Sequence, residues 1–476
     1  MADIDSMEKA PYDERLRHDT DDRTQERAEL HPNHPMLWPS WLRHACLLQL
    51  AFNAMMNGFT SSILIPGFPI IAEKFGVSEA AASYLTSVHV LFLGLGPLIW
   101  APICDKYGRR LCLILAMLLS FAANIGGAYA RSYGTLMAAR IFQSIGISFG
   151  NVCGAAIVVE LFSAEHRAAK LNVWSVMVTA GPAIGGLVGG FLIAALGWQW
   201  ALYLNAICNA AEMLAYIFCF PETQWVPSNP IGLKARMRFP VNHSRRLRPS
   251  TFLQPLLFFQ SPVLVIMLFV FGVSFGIISV GLSVTLPAVF PVLYGFSPQA
   301  DGLVFVAYVV GALVGGQLGG WLSDVIVRRY AAKCEREGRH YRHEYRLFAV
   351  IPGYFLAVIG LILYGVTLQE ATHWSGPVIA FGIAECGLQI IINVINTYCV
   401  DCYRTHSLTV TVFLNILRQV VGFTAGFWIP PLIAATGYGL GVGILAIMCF
   451  CFYVLSTVVF VRGEELRQRF PVRGLS

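Results

Sequence analysis

Runs of about 20 apolar residues recur between residues 43 and 461, separated by short polar breaks. A helix rises about 1.5 Å per residue, so each run can cross the roughly 30 Å hydrocarbon layer of a bilayer. Lipid offers no partners to backbone N–H and C=O groups, so a spanning segment must satisfy its own, as a helix does. The composition agrees: the 476 residues are 56% hydrophobic and 13% charged, with a mean hydropathy of +0.62. Those values exclude a disordered chain and argue against a soluble enzyme. The expected spans are 43–72, 82–103, 111–130, 135–160, 169–195, 199–220, 262–290, 301–326, 346–369, 374–400, 408–435 and 438–461. The fold class is an all-α polytopic membrane protein with twelve transmembrane helices.

Charge sets the orientation. Basic residues crowd every second break, such as Lys106, Arg109 and Arg110 after the second span, while the opposite loops hold only Lys74 and Arg131. Lys and Arg favour the cytosolic side, which places both termini there. The net charge of +6 therefore fixes topology and does not call for nucleic acid. Residues 1–42 read as a disordered cytosolic tail without the apolar core of a signal peptide. Residues 43–220 form one six-helix bundle, 221–261 a basic cytosolic loop, 262–461 a second bundle and 462–476 a cytosolic tail. The sequon Asn242-His243-Ser244 then faces the cytosol. Most of the 12 cysteines sit singly inside apolar runs, so no disulfide framework is expected. Cys399 and Cys402 form a lone CxxC without a second ligand pair, so no metal is expected, and no cofactor either. No GxxxxGK[ST] loop for an ATP-driven pump and no nucleophile–base constellation are visible.

The two halves echo each other. Asp105 is followed four and five residues on by Arg109 and Arg110, and Asp324 by Arg328 and Arg329 at the same offsets. Each set follows the second span of its half, as a duplicated pseudo-symmetric unit requires. Charges at these helix ends can pair in one state and part in another; the plainer reading is that Lys and Arg anchor any cytosolic loop.

Inside the spans, ionisable groups are costly and tend to be functional. They are His89, Arg140, Glu212, Glu385 and Arg418. An arginine stays charged and suits an anionic substrate group or a carboxylate partner. Glu385, as a carboxyl, can take up and release a proton. Glu212 also fits a structural role, and His89 fits a hydrogen-bonded packing role. A permanent Arg–Glu bridge is the plainer alternative for the rest. Polar residues also fall on helical stripes: Gln49, Asn53, Asn57 and Ser61; Asn205, Asn209, Glu212 and Tyr216; Glu385, Gln389, Asn393 and Asn396. Spacings of three and four share one helix face, and that face must turn away from lipid. Interhelical hydrogen bonding competes with a cavity lining as the reason. Gly181, Gly185 and Gly189, with Gly186 and Gly190 beside them, permit close helix approach, and Pro182 adds a kink.

Five stretches together resemble the major facilitator superfamily, most closely its fungal twelve-span drug:proton antiporter type. APICDKYGRR is similar to the superfamily's loop signature, with Asp105, Gly108, Arg109 and Arg110 in place and Ala101 where a glycine is usual. Arg140-Ile141-Phe142-Gln143-Ser144-Ile145-Gly146 resembles the fourth-helix motif, with Ser144 at a common glycine position. Gly181-Pro182-Ala183-Ile184-Gly185-Gly186 resembles the fifth-helix antiporter motif, with Met177 replacing an upstream glycine. Glu160 with Arg167, and Pro221-Glu222-Thr223, resemble further cytosolic-end signatures. The resemblance implies two six-helix bundles rocking about a midplane site. It implies a cytosolic gate of Asp105, Gly108, Arg109, Arg110, Glu160, Arg167, Glu222, Asp324, Arg328 and Arg329. The ionisable groups and polar stripes make the candidate substrate and proton pathway Asn53, Asn57, His89, Arg140, Gln143, Asn209, Glu212, Glu385, Gln389, Asn393, Asn415 and Arg418, and the resemblance implies that the first and tenth spans face the central cavity. The expected activity is efflux of a small organic molecule in exchange for protons, by a monomer in the plasma membrane or another endomembrane. Proton-coupled uptake of an organic acid, vitamin or polyamine, and a non-transporting nutrient sensor, are the alternatives. One departure bears on coupling: the first span carries Asn53 and Asn57 where several proton antiporters place an acid.

Overall fold

A computed structural model describes residues 35–162, 164–223, 254–338, 342–403, 407–470 and 472. The two tails, except their inner ends, and most of the central loop, including Asn242, lie outside the described residues. So do the side chains of Asp105 and Arg167.

The helices are α1 (Ser40–Ser62), α2 (Phe68–Phe75), α3 (Glu79–Tyr107), α4 (Arg109–Ala128), α5 (Tyr133–Ile147), α6 (Phe149–Leu161), α7 (Ala164–Leu196) and α8 (Trp198–Phe218). They continue as α9 (Pro262–Ser274), α10 (Leu282–Tyr294), α11 (Pro298–Glu337), α12 (Ile351–Gln369), α13 (Ser375–Cys402), α14 (Ser407–Thr436) and α15 (Tyr438–Arg469). Each expected span coincides with helix, and among the described residues eleven helical stretches are long and apolar enough to cross a membrane. The fourth expected span differs: it is divided at Ser148 into α5 and α6, of 15 and 13 residues, each short of the roughly 20 that a crossing needs. Ser148 keeps helical dihedrals (φ −62°, ψ −24°), so the chain runs on through the break. The first span is similarly composite, α1 and α2 being joined by a 3-10 turn containing Pro66. The seventh joins α9 to α10 through a π-helical stretch, Phe275–Gly281. The eighth, expected to end at 326, runs on to Glu337.

Local sequence explains the ends. Ser78 accepts a hydrogen bond from the Ala81 N–H at 3.1 Å, and Ser132 and Thr135 form a reciprocal capping box at the start of α5. The joints of the two halves match. Gly76 and Gly295 end the first and seventh spans in left-handed geometry, followed two residues later by Ser78 and Ser297 at the next helix start. Gly197 and Gly437, single-residue links before an aromatic, take φ +90° and +82°.

The packing repeats as well. The first span packs on the fifth as the seventh packs on the eleventh; the second on the fourth as the eighth on the tenth. The third packs on the fourth and sixth as the ninth does on the tenth and twelfth. The halves meet along two seams, α3 against α14 and α7 against α11, which the same pseudo-symmetry exchanges. Large apolar side chains such as Leu48, Phe142, Ile207, Phe355 and Ile447 cover the outer wall, while the polar stripes turn inward.

Candidate functional site

α7 explains how the halves touch. On one face, a Cβ at Gly181, Gly185 or Gly189 would collide with the α1 backbone at Met55 and Phe59, or with Ile63 beyond its end. On the other, Gly186 lies against the Phe305 ring, and Gly190 against the backbone of Gly302 on α11. The two glycine rows let one helix pack tightly on its own half and on the other. In the second seam Gly94 faces Gln419, Gly422 faces Phe275 and Val90, and Tyr84 stacks on Phe427 at 4.3 Å. Tyr84, Gly186 and Gly190 make their approaches on the side of Ser78 and Pro298, whereas Gly94 sits at the middle of α3, and Leu98, nearer to Gly108, still packs against Val412 and Ile416 of α14.

Within the first half, polar side chains from five spans join in the buried interior. Asn53 donates to Glu212 Oε2 and to Met117 Sδ, the latter at 3.2 Å. Thr60 donates to Asn205 Oδ1 at 3.2 Å. Arg140 donates to the Thr60 carbonyl at 3.1 Å and to Gln143 Oε1 at 2.7 Å, and Gln143 donates onward to Asn124. Asn209 donates to Ser120 at 2.7 Å, and His89 Nδ1 lies 2.6 Å from Ser144 Oγ. Asn57 donates to the Ile147 carbonyl at 3.3 Å. Glu212 is 6% exposed and the other members at most 2%. Arg140, His89 and Gln143 thus sit inside the bundle rather than on an open wall. Neither Arg140 nor Glu212 has an oppositely charged partner among the described residues, and Arg140 Nη2 and Glu212 Oε1 are buried without partners. The permanent Arg–Glu bridge is absent here.

The second half is arranged differently. Glu385 is buried and accepts from Gln389 Nε2 at 3.1 Å. The Tyr308 hydroxyl lies 3.1 Å from Ser279 Oγ, and Glu385 Oε2 is buried without a hydrogen-bond partner among the described residues. Gln389 and Asn393 are half-buried, and Asn393 donates to the Gly316 carbonyl at 3.1 Å. Arg418 and Asn415, also half-buried, are joined by a 2.9 Å hydrogen bond. The guanidinium lies over Phe275 and Phe271, 4.6 and 5.4 Å from the ring centroids. Phe275 opens the π-helical stretch, a distortion that often marks functional sites.

At the far end, Gly108 takes φ +85° and ψ 160°, a conformation open essentially to glycine alone. A Cβ there would also stand 2.5 Å from Glu222 Oε2. The bareness of this residue lets Glu222 reach the start of α4, where it accepts the N–H groups of Arg109 and Arg110 at 3.0 and 3.1 Å. A carboxylate at a helix N-terminus is favoured by the helix dipole. Arg109 makes a two-pronged pair with Glu160 at the end of α6, and Arg110 donates to the Tyr216 and Ile217 carbonyls of α8. These residues tie three helix ends within one half.

The expected counterpart is not built alike. Asp324, Arg328 and Arg329 are exposed on the continuous α11. The equivalent junction of the second half is made instead by Arg346 with Asp401 (3.0 Å) and Glu344 with Arg467 (2.5 Å), with Tyr398 3.3 Å from Glu344. The matching offsets lie within α11, which extends past them to Glu337. The better signal was charge at corresponding helix ends: the start of the ninth span and the ends of the tenth and twelfth. The sequence reading also missed Thr60, Ser120, Asn124, Ser279 and the π-helical stretch. Isolated hydroxyls inside apolar runs reveal themselves only once the helices are packed.

Known proteins agree with this architecture. Residues 50–426 match the profile of the Major Facilitator Superfamily. The chain is 27% identical to the MFS-type transporter penM of Penicillium rubens, over 92% of this chain and 87% of that one. It is 27% identical to the efflux pump radE of Floropilus chiversii, over 93% and 84%. A bacterial homologue of the human lysosomal transporter Spinster, in an inward-facing unoccupied conformation, shares the fold with a TM-score of 0.63 at 15% identity, over 92% of this chain and all of that one. Helix order, duplicated packing and profile converge: the chain belongs to the major facilitator superfamily and is a transporter of that type.

Proposed function

We propose that this transporter expels a small organic molecule in exchange for protons, by rocking its two halves about a site between them. The observation that carries the reading is a pair of buried carboxyls, Glu212 and Glu385, one in each half. Each is held by an amide, and neither has a cation within ion-pair distance among the described residues. An acid inside a membrane protein without a counter-ion marks a proton route more often than a structural strut. Gln389, half-buried, holds the second carboxyl by a 3.1 Å hydrogen bond. Outward direction is supported by relatives that bear the name efflux pump, radE among them. The close approaches of Tyr84 to Phe427 and of Gly190 to Gly302 join the halves near Ser78 and Pro298, and with the basic loops cytosolic such contact on the far side supports loading from inside.

Everted membrane vesicles from cells making the protein test this. An outward-directed proton gradient, vesicle interior acid, should drive uptake of the exported compound, identified beforehand by comparing metabolites of cells with and without the chain. Glu385→Gln and Glu212→Gln should each lower gradient-driven flux at least about tenfold while leaving downhill exchange measurable. Flux indifferent to the gradient in the unsubstituted protein would remove proton coupling, and loading under the opposite gradient would make it an uptake system.

A further inference from the structure

The geometry points to an organic anion, a carboxylate carried on an apolar or aromatic body, as the cargo class, bound at Arg418 between α9, α14 and α3. This rests on the transport reading above and narrows it. The first-half arginine, Arg140, is shut inside its bundle with carbonyl and amide acceptors around it. Arg418 differs. It is half-buried on α14, between Asn415 and Gly422, the latter facing Val90 of the other half, and no carboxylate pairs with it among the described residues.

Its hydrogen bonding shows what is missing. Arg418 Nη2 donates to Asn415 Oδ1, which fixes the amide orientation, because a guanidinium cannot accept. That leaves Arg418 Nε and Asn415 Nδ2 buried without partners, and both are donors. Two idle donors on hydrogen-bonded side chains, one of them positively charged, call for an oxyanion acceptor. Gln419 Oε1, the idle acceptor on the next residue, belongs to a side chain whose Cβ and Cγ pack against Gly94 on α3.

The surroundings select the rest of the molecule. Phe271 and Phe275 flank the guanidinium at 5.4 and 4.6 Å from their centroids, holding its plane by cation–π attraction. Phe275 is half-buried, and Val90 of the other half stands against the same Gly422. A carboxylate on Arg418 would bring its apolar body against these side chains, touching both halves at once. A ligand that bridges the seam is placed to sense their rocking.

The test measures binding without a gradient, so it stands or falls apart from coupling and direction. The full chain in phosphatidylcholine nanodiscs is titrated with 1-naphthoate and with 1-naphthamide, its neutral match in shape. Naphthoate should bind at least about tenfold more tightly. Arg418→Gln should erase that preference, Arg418→Lys should restore part of it, and Asn415→Ala should weaken naphthoate several-fold without affecting naphthamide. Glu385→Gln, which would cripple coupled flux, should retain the preference. Equal binding of the two probes, no binding of naphthoate, or an intact preference in well-folded Arg418→Gln each overturns the assignment. If Arg418→Gln does not fold, Asn415→Ala decides alone, and an unchanged naphthoate affinity there overturns it.

Discussion

Gly108 shows how much one residue can decide. Its dihedrals and the Glu222 carboxylate pressed against it leave no space for a side chain. Gly108→Ala should therefore cost of order 1–3 kcal/mol through backbone strain, with the displaced Glu222 adding to the loss. The check is thermal unfolding of the purified protein by size-exclusion chromatography: a midpoint equal to that of the unsubstituted chain would show the junction to be slack. The Arg109–Glu160 pair, with its glutamate 41% exposed, is a weaker tie, worth no more than about 1 kcal/mol. Glycine in the loop stretch was legible from the sequence. Its reason, the approach of a carboxylate more than a hundred residues away, was not, because that contact exists only after folding.

Among elements, α7 is the most constrained, because small residues on two of its faces serve different neighbours. The 181–185–189 row binds α1 and the 186–190 row meets α11 across the seam. Enlarging the first row should harm folding, whereas enlarging the second should act on the conformational balance. Gly302→Leu, on the α11 side, should wedge this seam open. In a background lacking the reactive native cysteines, Tyr84→Cys should then react with an external membrane-impermeant maleimide several-fold faster than without the wedge. No change in rate would mean that the seam does not open as one piece. The spacing of these glycines was readable as a packing signal, but which row faces which helix was not, since a stripe does not name its neighbour.

For the whole molecule, the repeated packing of two six-helix sets makes orientation a single decision shared by every span. An epitope placed at Asn242 in the central loop should be stained only after the membrane is permeabilised. Staining of intact cells would invert the topology and, with it, the direction proposed for transport. The joined end at Ser78 and Pro298 would then face the cytosol.

The chain's own residues settled the helical class and the rough placement of the spans, because hydrophobic length and terminal Ser and Gly residues act locally, while the fourth span is divided and the eighth and twelfth run on to Glu337 and Arg469. They settled the inward turn of Asn53, Glu212 and Glu385 too, since lipid rejects such groups whatever the neighbours. Tertiary structure alone separated Arg140, enclosed in its bundle, from the half-buried Arg418 on α14. It also brought Glu344 to Arg467 and Arg346 to Asp401 while leaving Asp324 exposed. Those outcomes depend on how helices rotate and extend against distant partners, and a periodic pattern along one helix carries no information about that.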